Sequence, residues 1–271
     1  MMLLHALGAC ADALPRTAQT KTTRSNPSYY GTRFDETYNH PFWKTTCPNS
    51  ITPPASVSAR AKSWKSAKGA VVKMLHPAGW GGWAFEVESY DAATDVMTFS
   101  KGGDQEARGN AGCGAMFVEN VKEELDAAGE YFYDAATHEL SLISSLSAAQ
   151  LQAATVEATQ LSTLIEIKGT KEAPVKQIAM SGFNLTHSAY TYLDKYEVPS
   201  GGDWSIHRGA AVFIEGAENI SLTSIKFDQL DGNGVFLSNH VKGSSISDND
   251  FWRTGDSCVL AVGSSRLNNG R

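Results

Sequence analysis

Two aspartates in the C-terminal part of the chain have the residue type and the spacing that glycosidic chemistry requires. Asp231 lies in "QLDGNG" and Asp256 in "RTGDSC", 25 positions apart, and the apolar residues around them repeat every 24 positions. Stacked copies of the repeat would place both carboxyl groups on one outer face, about 4.7–4.9 Å apart per layer. Two carboxyls about 5–5.5 Å apart suit a retaining glycosidase, with one as acid/base and the other as nucleophile. This geometry requires both side chains to point outward, away from the predicted core residues Phe227 and Phe251.

A structural role would explain the same two aspartates. Aspartate next to glycine is common in turns, because its carboxylate bonds to nearby backbone amides. Asp228 and Asp250 lie in neighbouring turns and are alternates for the same chemistry. The sequence therefore leaves catalysis and turn capping open for Asp231 and Asp256.

Four further residues near these turns are candidates for substrate binding. Trp204 and Trp252 could stack on the apolar faces of sugar rings, or pack at corners of the fold. His207 in "SIHRG" could contact substrate or accept a proton, or be a turn histidine with satisfied hydrogen bonds. Arg253 would pair with an anionic substrate, and otherwise is a solvated surface charge. No nucleotide, haem or metal-ligand pattern is present, so we predict no cofactor and no metal site.

The internal repeat predicts which positions stack on one another. At a spacing of 24, the pairs are Leu222 with Ile246, Phe227 with Phe251, Val235 with Val259, and Leu237 with Ala261. The same step backwards pairs Val235 with Ala211 and Leu237 with Phe213. An earlier copy matches at an offset of 42, so residues 188–206 are predicted to be an inserted loop.

The repeat predicts an all-β protein, a right-handed parallel β-helix. Each copy contains two or three strands of three to five residues separated by Gly, Asn, Asp and Ser, and no helical period is sustained. Such short strands must bury their apolar faces against neighbouring copies. A leucine-rich repeat would require a regular frame of leucines, which this sequence lacks. An antiparallel β-sandwich does not require in-register repetition. Cys258, beside Val259 in a predicted inward strand, is expected to be buried.

Composition changes along the chain predict three regions. Residues 1–40 are an irregular N-terminal segment, residues 41–144 a β-rich module of the insertion type, and residues 145–271 the parallel β-helix coils. Within the module, strands are predicted at 70–75, 84–90 and 96–100, and a hairpin at 131–142. The coils stop at "AVGSSRLNNGR" without a polar cap, so we expect the chain to be a fragment with an incomplete last coil.

Charge and hydropathy bear on the partners of the protein. The net charge is −6 and the pI about 5.6, without a prominent Lys/Arg cluster, which argues against a nucleic-acid partner. No segment is long and apolar enough for a transmembrane helix, and "MMLLHALGACADAL" lacks the basic start of a signal peptide.

Three segments resemble a known family. They are "MFVENVKEELDAAGEYFYDAATHELSL" (116–142), "LIEIKGTKEAPVKQIAMSGFNLTHSAYTYL" (164–193) and "RGAAVFIEGAENISLTSIKFDQLDGNGVFLSNHVKGSSISDNDFWRTGDSCVLAVG" (208–263). They resemble right-handed parallel β-helix proteins related to glycoside hydrolase family 141, in which a small β-rich insertion domain precedes the coils. The resemblance implies hydrolysis of plant or algal cell-wall polysaccharide outside the cytoplasm, or at the cell surface.

The function predicted from the sequence is therefore that of a carbohydrate-active glycoside hydrolase homologue whose partner is a polysaccharide or oligosaccharide. Two alternatives stay open. One is a polysaccharide lyase of the same architecture, for which Arg253 beside Asp250 and Asp256 is the suggestive cluster. The other is a non-catalytic solenoid that binds glycans or mediates adhesion. A chain that lacks later coils could also lack catalytic groups and be inactive.

Overall fold

A computed structural model describes residues 50–75, 82–103, 105, 115–200 and 204–263, together with short strands at 2–5, 23–24 and 29–30. Contacts divide the chain into two compact units, Met2–Glu157 and a second unit that begins at Ala158. Strands dominate the described part of both units, so the protein belongs to the predicted all-β class. The proposed domain boundaries after residues 40 and 144 stay a prediction.

The first unit is organised around one antiparallel sheet. Its strands are β1 (Met2–His5), β2 (Thr23–Arg24), β3 (Tyr29–Tyr30), β4 (Ser50–Ile51), β5 (Val71–Leu75), β6 (Gly82–Asp91), β7 (Val96–Gly102), β8 (Ala115–Glu119), β9 (Tyr131–Asp134), β10 (Glu139–Leu142) and β11 (Thr155–Ala158). Its helices are α1 (Ala55–Ala61), a 3-10 turn (Lys122–Glu124) and α2 (Ala148–Gln152). Seven strands form a sheet in the order β2-β8-β5-β6-β7-β4-β3, with antiparallel neighbours throughout.

The predicted strands of this region are confirmed. The segments at 70–75, 84–90 and 96–100 correspond to β5, β6 and β7, and the hairpin at 131–142 corresponds to the antiparallel pair β9 and β10. Helix α1 packs Val57 and Ala61 into the core of the sheet. Next to it, the buried carboxylate of Glu124 accepts a 2.6 Å hydrogen bond from Trp64 Nε1 and pairs with Arg60. These contacts connect α1 to the 3-10 turn.

The second unit consists mainly of short strands that pair between repeats. They are β12 (Ile165–Lys168), β13 (Val175–Lys176), β14 (Ala179–Ser181), β15 (Asn184–Ser188), β16 (Glu197–Ser200), β17 (Trp204–Ile206), β18 (Val212–Glu218), β19 (Ser221–Thr223), β20 (Lys226–Leu230), β21 (Val235–Lys242), β22 (Ser245–Ser247), β23 (Asp250–Thr254) and β24 (Val259–Val262). They form three parallel sheets, β12-β18-β21-β24 with β13 beside β18, β14-β19-β22, and β15-β20-β23. Within the inserted loop, β16 and β17 pair antiparallel.

The four stacking pairs predicted downstream are confirmed. Leu222 pairs with Ile246, Phe227 with Phe251, Val235 with Val259, and Leu237 with Ala261. The Phe227 and Phe251 rings stack 4.4 Å apart, only 6° from parallel. Repetition of apolar residues every 24 positions therefore produces layers that bury one another, as stacking of short strands requires.

The backward step of the repeat was predicted one residue out of register. Val235 pairs with Val212 rather than Ala211, and Leu237 pairs with Ile214 rather than Phe213. The spacing is 23 up to the pair Glu215–Ser238 and becomes 24 at Ala217–Val241, because β21 carries one extra residue at an irregularity. Since a one-residue slip moves a side chain to the other face of a sheet, Phe213 leaves the interior and stacks on Phe236, 5.9 Å away.

The thiol of Cys258 is exposed, so its predicted burial was wrong. The adjacent Val259 is 41% exposed, although its partner Val235 is fully buried. Among the described residues, β24 pairs only with β21, and its other edge has no strand beside it. The apolar pattern of β24 therefore does not bury Cys258 and Val259, although the repeat predicts that this strand faces inward.

Three corners of each repeat adopt left-handed backbone conformations. One column contains Gln177, Asn219 and Gly243, with φ of 60°, 58° and 58°. Two other columns repeat the same feature at Gly182, Ser224 and Asp248, and at His187, Gln229 and Arg253. Left-handed φ is costly for residues with a Cβ. The corners thus share a backbone conformation without sharing a residue type, which hides them in the sequence.

Replacement of Gln177 by glycine is expected to stabilise the second unit. A left-handed residue with a Cβ costs about 1–2 kcal/mol, from which glycine's greater entropy loss of about 0.5–1 kcal/mol is subtracted. A gain of roughly 0.5–1 kcal/mol in the free energy of unfolding follows. The opposite change, Gly243→Ala, should destabilise, because alanine would have to adopt φ +58°, and its Cβ would also lie 2.5 Å from Asn219 Oδ1. Urea denaturation measures the free energy of unfolding of both variants. An unchanged free energy of unfolding in Gly243→Ala would contradict this account of the corners.

Candidate functional site

Asp231 and Asp256 lie in directly bonded turns of successive repeats. Leu230 and Thr254 are the last paired residues of β20 and β23; Asp231 follows Leu230 directly, and Asp256 follows Thr254 after Gly255. Gly255 N donates to Leu230 O at 2.6 Å, and Asp256 N donates to Gly232 O at 3.3 Å. The fold therefore brings the two predicted residues into neighbouring backbone turns, one layer apart.

The glycines beside the two aspartates have a packing reason. A Cβ on Gly255 would lie 2.7 Å from the backbone carbonyl carbon of Asp231, and one on Gly232 would lie 2.8 Å from Thr191 Oγ1. At either position, a Cβ would be too close to its neighbour, which is backbone in one case and a buried hydroxyl in the other. The "DG" and "GD" pairs therefore let consecutive turns approach closely, which is one structural reason for the glycine–aspartate pattern.

The two aspartates differ in exposure. Asp256 is exposed, whereas Asp231 is only 6% exposed. Asp231 N donates to Ser188 Oγ at 3.2 Å, and Asp231 O accepts from Thr191 N at 3.2 Å, so the inserted loop covers this turn. The geometry expected from the sequence had two outward carboxylates, but the loop leaves only Asp256 open to solvent.

Tyr196 and Asp194 of the inserted loop, and His207 directly after it, form a group of interacting side chains beside Asp256. Tyr196 precedes β16, and its hydroxyl lies 3.5 Å from Asp256 Oδ2, a long hydrogen bond. His207 follows β17; its ring centroid is 5.8 Å from that of Tyr196, and its Nε2 lies 3.3 Å from Asp194 Oδ2. The loop and the residue after it therefore add a phenol, an imidazole and a third carboxylate near the turn of Asp256.

Burial controls the protonation of the tyrosine and the histidine. It raises the pKa of Tyr196, and the negative charge of Asp256 raises it further, so the phenol stays protonated at neutral pH. Burial also lowers the pKa of His207 below its ordinary 6.5, while the charges of Asp194 and Asp256 oppose that change. At neutral pH the site thus contains a hydroxyl donor and a neutral imidazole beside carboxylates.

Substitution Asp194→Asn is expected to lower the pKa of His207 further. It removes a charge that opposes the effect of burial, and NMR titration of the imidazole measures the change. Asp248→Asn, an exposed carboxylate in another corner, is the control and should leave the titration unchanged.

The lowered pKa of His207 also makes stability depend on pH. Because the unfolded chain binds this proton more readily, the stability contributed by neutral His207 is complete above pH 6.5 and declines as pH falls below it. A His207 pKa above 6.5 in the unmodified protein would contradict the prediction.

A fully buried asparagine lies between the loop and the turns. Asn233 Nδ2 donates to the carbonyl oxygens of His207, at 3.0 Å, and Gly209, at 2.9 Å. Its Oδ1 accepts from Ser257 N at 3.1 Å. Next to His207, Arg208 donates to Glu197 Oε2 at 2.9 Å and to Ser238 Oγ at 3.0 Å. The carbonyl group of His207 is therefore bonded to Asn233, and the side chain of the next residue, Arg208, is bonded to Ser238 of β21.

The other predicted binding residues lie along β23 and β17. Trp252 is 63% exposed and pairs in register with Asp228. Arg253 adopts φ +55° and donates from Nε and Nη2 to the two carboxylate oxygens of Asp228, both at 2.9 Å. Its guanidinium is thus already paired with a carboxylate. The side chain of Trp204 lies outside the described residues.

The structure therefore groups Asp231, Asp256 and His207, and it adds Tyr196, Asp194 and Asn233, which sequence reasoning missed. The one available signal was the interruption of the repeat between 188 and 206, since a loop inserted beside candidate turns is expected to fold over them. Asn233 was hidden inside "DGNG", where asparagine is typical of turns.

The described residues contain neither a metal-ligand cluster nor a membrane-spanning helix. Within the described ranges, no group of three or more His, Cys, Asp or Glu side chains is arranged to hold a metal ion. In the same part of the chain, no helix has the length and apolar character needed to cross a membrane.

Comparison with known proteins identifies one similar fold. A solved structure named "Glycoside hydrolase" matches with a TM-score of 0.57 and 20% sequence identity over 73% of this chain. The chain spans 40% of the length of that structure. At this identity the similarity is one of fold, so the chain has a glycoside hydrolase-like fold. No protein-family model and no curated protein sequence matches it.

Proposed function

We propose that the chain is part of a carbohydrate-active protein, a glycoside hydrolase homologue that acts on cell-wall or other extracellular polysaccharide. The observation that carries the proposal is the placement of Asp231 and Asp256 in bonded turns of successive repeats, within a glycoside hydrolase-like fold. Paired carboxyl groups are the usual catalytic groups of glycoside hydrolases. A location outside the cytoplasm or at the cell surface is part of the same proposal.

The three parallel sheets of the second unit support a right-handed parallel β-helix as the finer architecture. In this proposal each repeat is one coil, and each sheet collects equivalent strands of successive coils. The antiparallel first unit would be the β-rich insertion domain of proteins related to glycoside hydrolase family 141. The domain assignment 1–40, 41–144 and 145–271 belongs to this proposal.

The two carboxyls would divide the work of a retaining hydrolase. One protonates the glycosidic oxygen as its bond to the anomeric carbon breaks, while the other attacks that carbon; water then releases the sugar. Asp256 is exposed and contacts the Tyr196 hydroxyl, so it is the carboxyl that substrate reaches first. Neutral His207 and the exposed Trp252 are proposed to contact the sugar, with Trp204 and Arg253 as further binding candidates.

Two other functions remain as alternatives of unequal strength. A lyase would use a basic residue to remove a proton, yet the Arg253 guanidinium is held by both carboxylate oxygens of Asp228, which makes it a poor base. A glycan-binding solenoid without catalysis is supported by Trp252, whose 63% exposure leaves a flat aromatic face for a sugar. Binding without turnover would favour the solenoid.

Polysaccharide assays test the proposal directly. The chain is incubated with neutral and uronic-acid polymers, with and without chelator, and reducing ends and unsaturated products are measured separately. New reducing ends without unsaturation, unaffected by chelator, are expected for hydrolysis. Unsaturated products would show a lyase, and binding without either product would replace hydrolysis with glycan recognition.

A further inference from the structure

The candidate site is assembled from segments far apart in the chain. His207 follows the inserted hairpin β16–β17, Asp231 follows β20, and Asp256 follows β23. Backbone pairing connects the turns of Asp231 and Asp256 and joins Ala211 N to Asn233 O at 2.9 Å, but among the described residues no backbone hydrogen bond joins His207 itself to either turn. Some other contact has to determine how far the imidazole lies from the turn of Asp256.

Asn233 makes that contact. Its amide nitrogen donates to His207 O at 3.0 Å and to Gly209 O at 2.9 Å, so it binds the backbone on both sides of Arg208. Its amide oxygen accepts from Ser257 N at 3.1 Å. Ser257 is next to Asp256, and its hydroxyl donates to Asp256 Oδ1 at 3.3 Å. The Asn233 side chain thus connects the carbonyl groups of His207 and Gly209 to the backbone N–H of Ser257, the residue after Asp256.

Burial makes this connection specific to asparagine. Asn233 is 0% exposed, and three backbone groups satisfy both of its amide donors and its acceptor. Aspartate in its place would lose both donors and face two carbonyl oxygens. A smaller residue would leave two buried carbonyls and one N–H without their partner, which is costly in the protein interior.

We propose that Asn233 is a positioning residue of the candidate site, which holds His207 at a fixed distance from the turn of Asp256. The inference rests on the proposed hydrolase function for its catalytic consequence, but its geometric consequence stands without it. When Asn233 is replaced, the end of the β16–β17 hairpin moves away from the turn of Asp256, and His207 gains access to water. The carboxylates of Asp194 and Asp256 then no longer have fixed positions relative to the imidazole.

The chain contains a matched control for a purely structural asparagine. Asn249 occupies another corner, where its Nδ2 donates to Leu222 O at 3.0 Å and its Oδ1 accepts from Ile225 N at 2.8 Å. It therefore bridges two successive repeats through the same amide chemistry, without bonds to the inserted loop. Loss of either asparagine should lower stability, and only loss of Asn233 should alter the site.

The experiment compares Asn233→Ala, Asn233→Ser and Asn249→Ala in the whole chain. Imidazole NMR titration follows His207, assigned by the loss of its signal in His207→Gln, and thermal melts follow stability. Both alanine variants should lower the Tm. Only the Asn233 variants should raise the pKa of His207 toward its ordinary 6.5, because water replaces part of the protein around the ring. If the chain hydrolyses a glycan, the same variants should also lower kcat about 10- to 100-fold, as misplacement of a reacting group does.

The outcomes separate the inference from the proposed function. An unchanged His207 titration in folded Asn233→Ser or Asn233→Ala, or an equal shift in Asn249→Ala, would overturn the positioning role. Asn233→Ser adds no charge and keeps a hydroxyl that can donate to one of the two carbonyl oxygens, so it remains informative where Asn233→Ala does not fold. A chain without hydrolase activity but with the specific titration shift would overturn the proposed function and leave the positioning role intact.

Discussion

Asp256→Asn is expected to reduce glycan hydrolysis about 10²–10⁴-fold, the usual contribution of a catalytic acid or base. The substitution keeps the shape of the side chain and removes its charge. Asp256 is exposed, and among the described residues its carboxylate has only long contacts, to Tyr196 at 3.5 Å and Ser257 at 3.3 Å. The free energy of unfolding should therefore change by no more than about 0.5 kcal/mol. Initial rates and thermal melts on the same preparation measure both quantities.

Two further substitutions determine whether the loss belongs to catalysis. Asp248→Asn removes an exposed carboxylate two residues before β23 and should leave the rate unchanged. Asp231→Asn should lower the rate as strongly as Asp256→Asn, although this buried residue can also affect stability. A fall in stability that matches the fall in rate for both aspartates would show that they cap turns and do not perform chemistry.

Phe227→Ala is expected to produce the largest loss of stability in the second unit. Phe227 is 0% exposed, and its ring stacks 4.4 Å from Phe251 in the next layer. Truncation of a buried phenylalanine costs about 3–5 kcal/mol, through lost burial and the cavity left behind. That is a large share of the total stability of an ordinary domain, about 5–15 kcal/mol. Urea denaturation of the variant and the unmodified chain measures the difference.

Trp252→Ala is the matched control for the phenylalanine. It removes a larger aromatic ring from the residue next to Phe251, but that ring is 63% exposed and lies on the solvent side of β23. Its effect on the free energy of unfolding should stay within about 0.5 kcal/mol, while glycan binding should weaken. Similar losses of stability in both variants would contradict the assignment of inward and outward faces.

The sequence by itself determined the layered core of the second unit. Residues such as Leu222, Phe227 and Val235 recur after 24 positions, and strands too short to be stable alone can satisfy that pattern only by stacking equal positions. The alternating strands of the first unit were equally readable, because a strand with one buried face repeats every two residues. Periodicity therefore predicted which residues face inward.

Only the tertiary structure decided the details that depend on distant contacts. The extra residue in β21 changed the pairing of Phe213, since a local irregularity leaves no mark in an apolar pattern. The loop that buries Asp231 and places Tyr196 beside Asp256 folds back from an insertion, and an insertion carries no period to show where it returns. The sequence likewise indicated no partner for Arg253. Its pairing with Asp228 arises because the two side chains meet across neighbouring layers. Local pattern specifies the face of each residue, whereas the composition of a site depends on which distant segments the completed fold brings together.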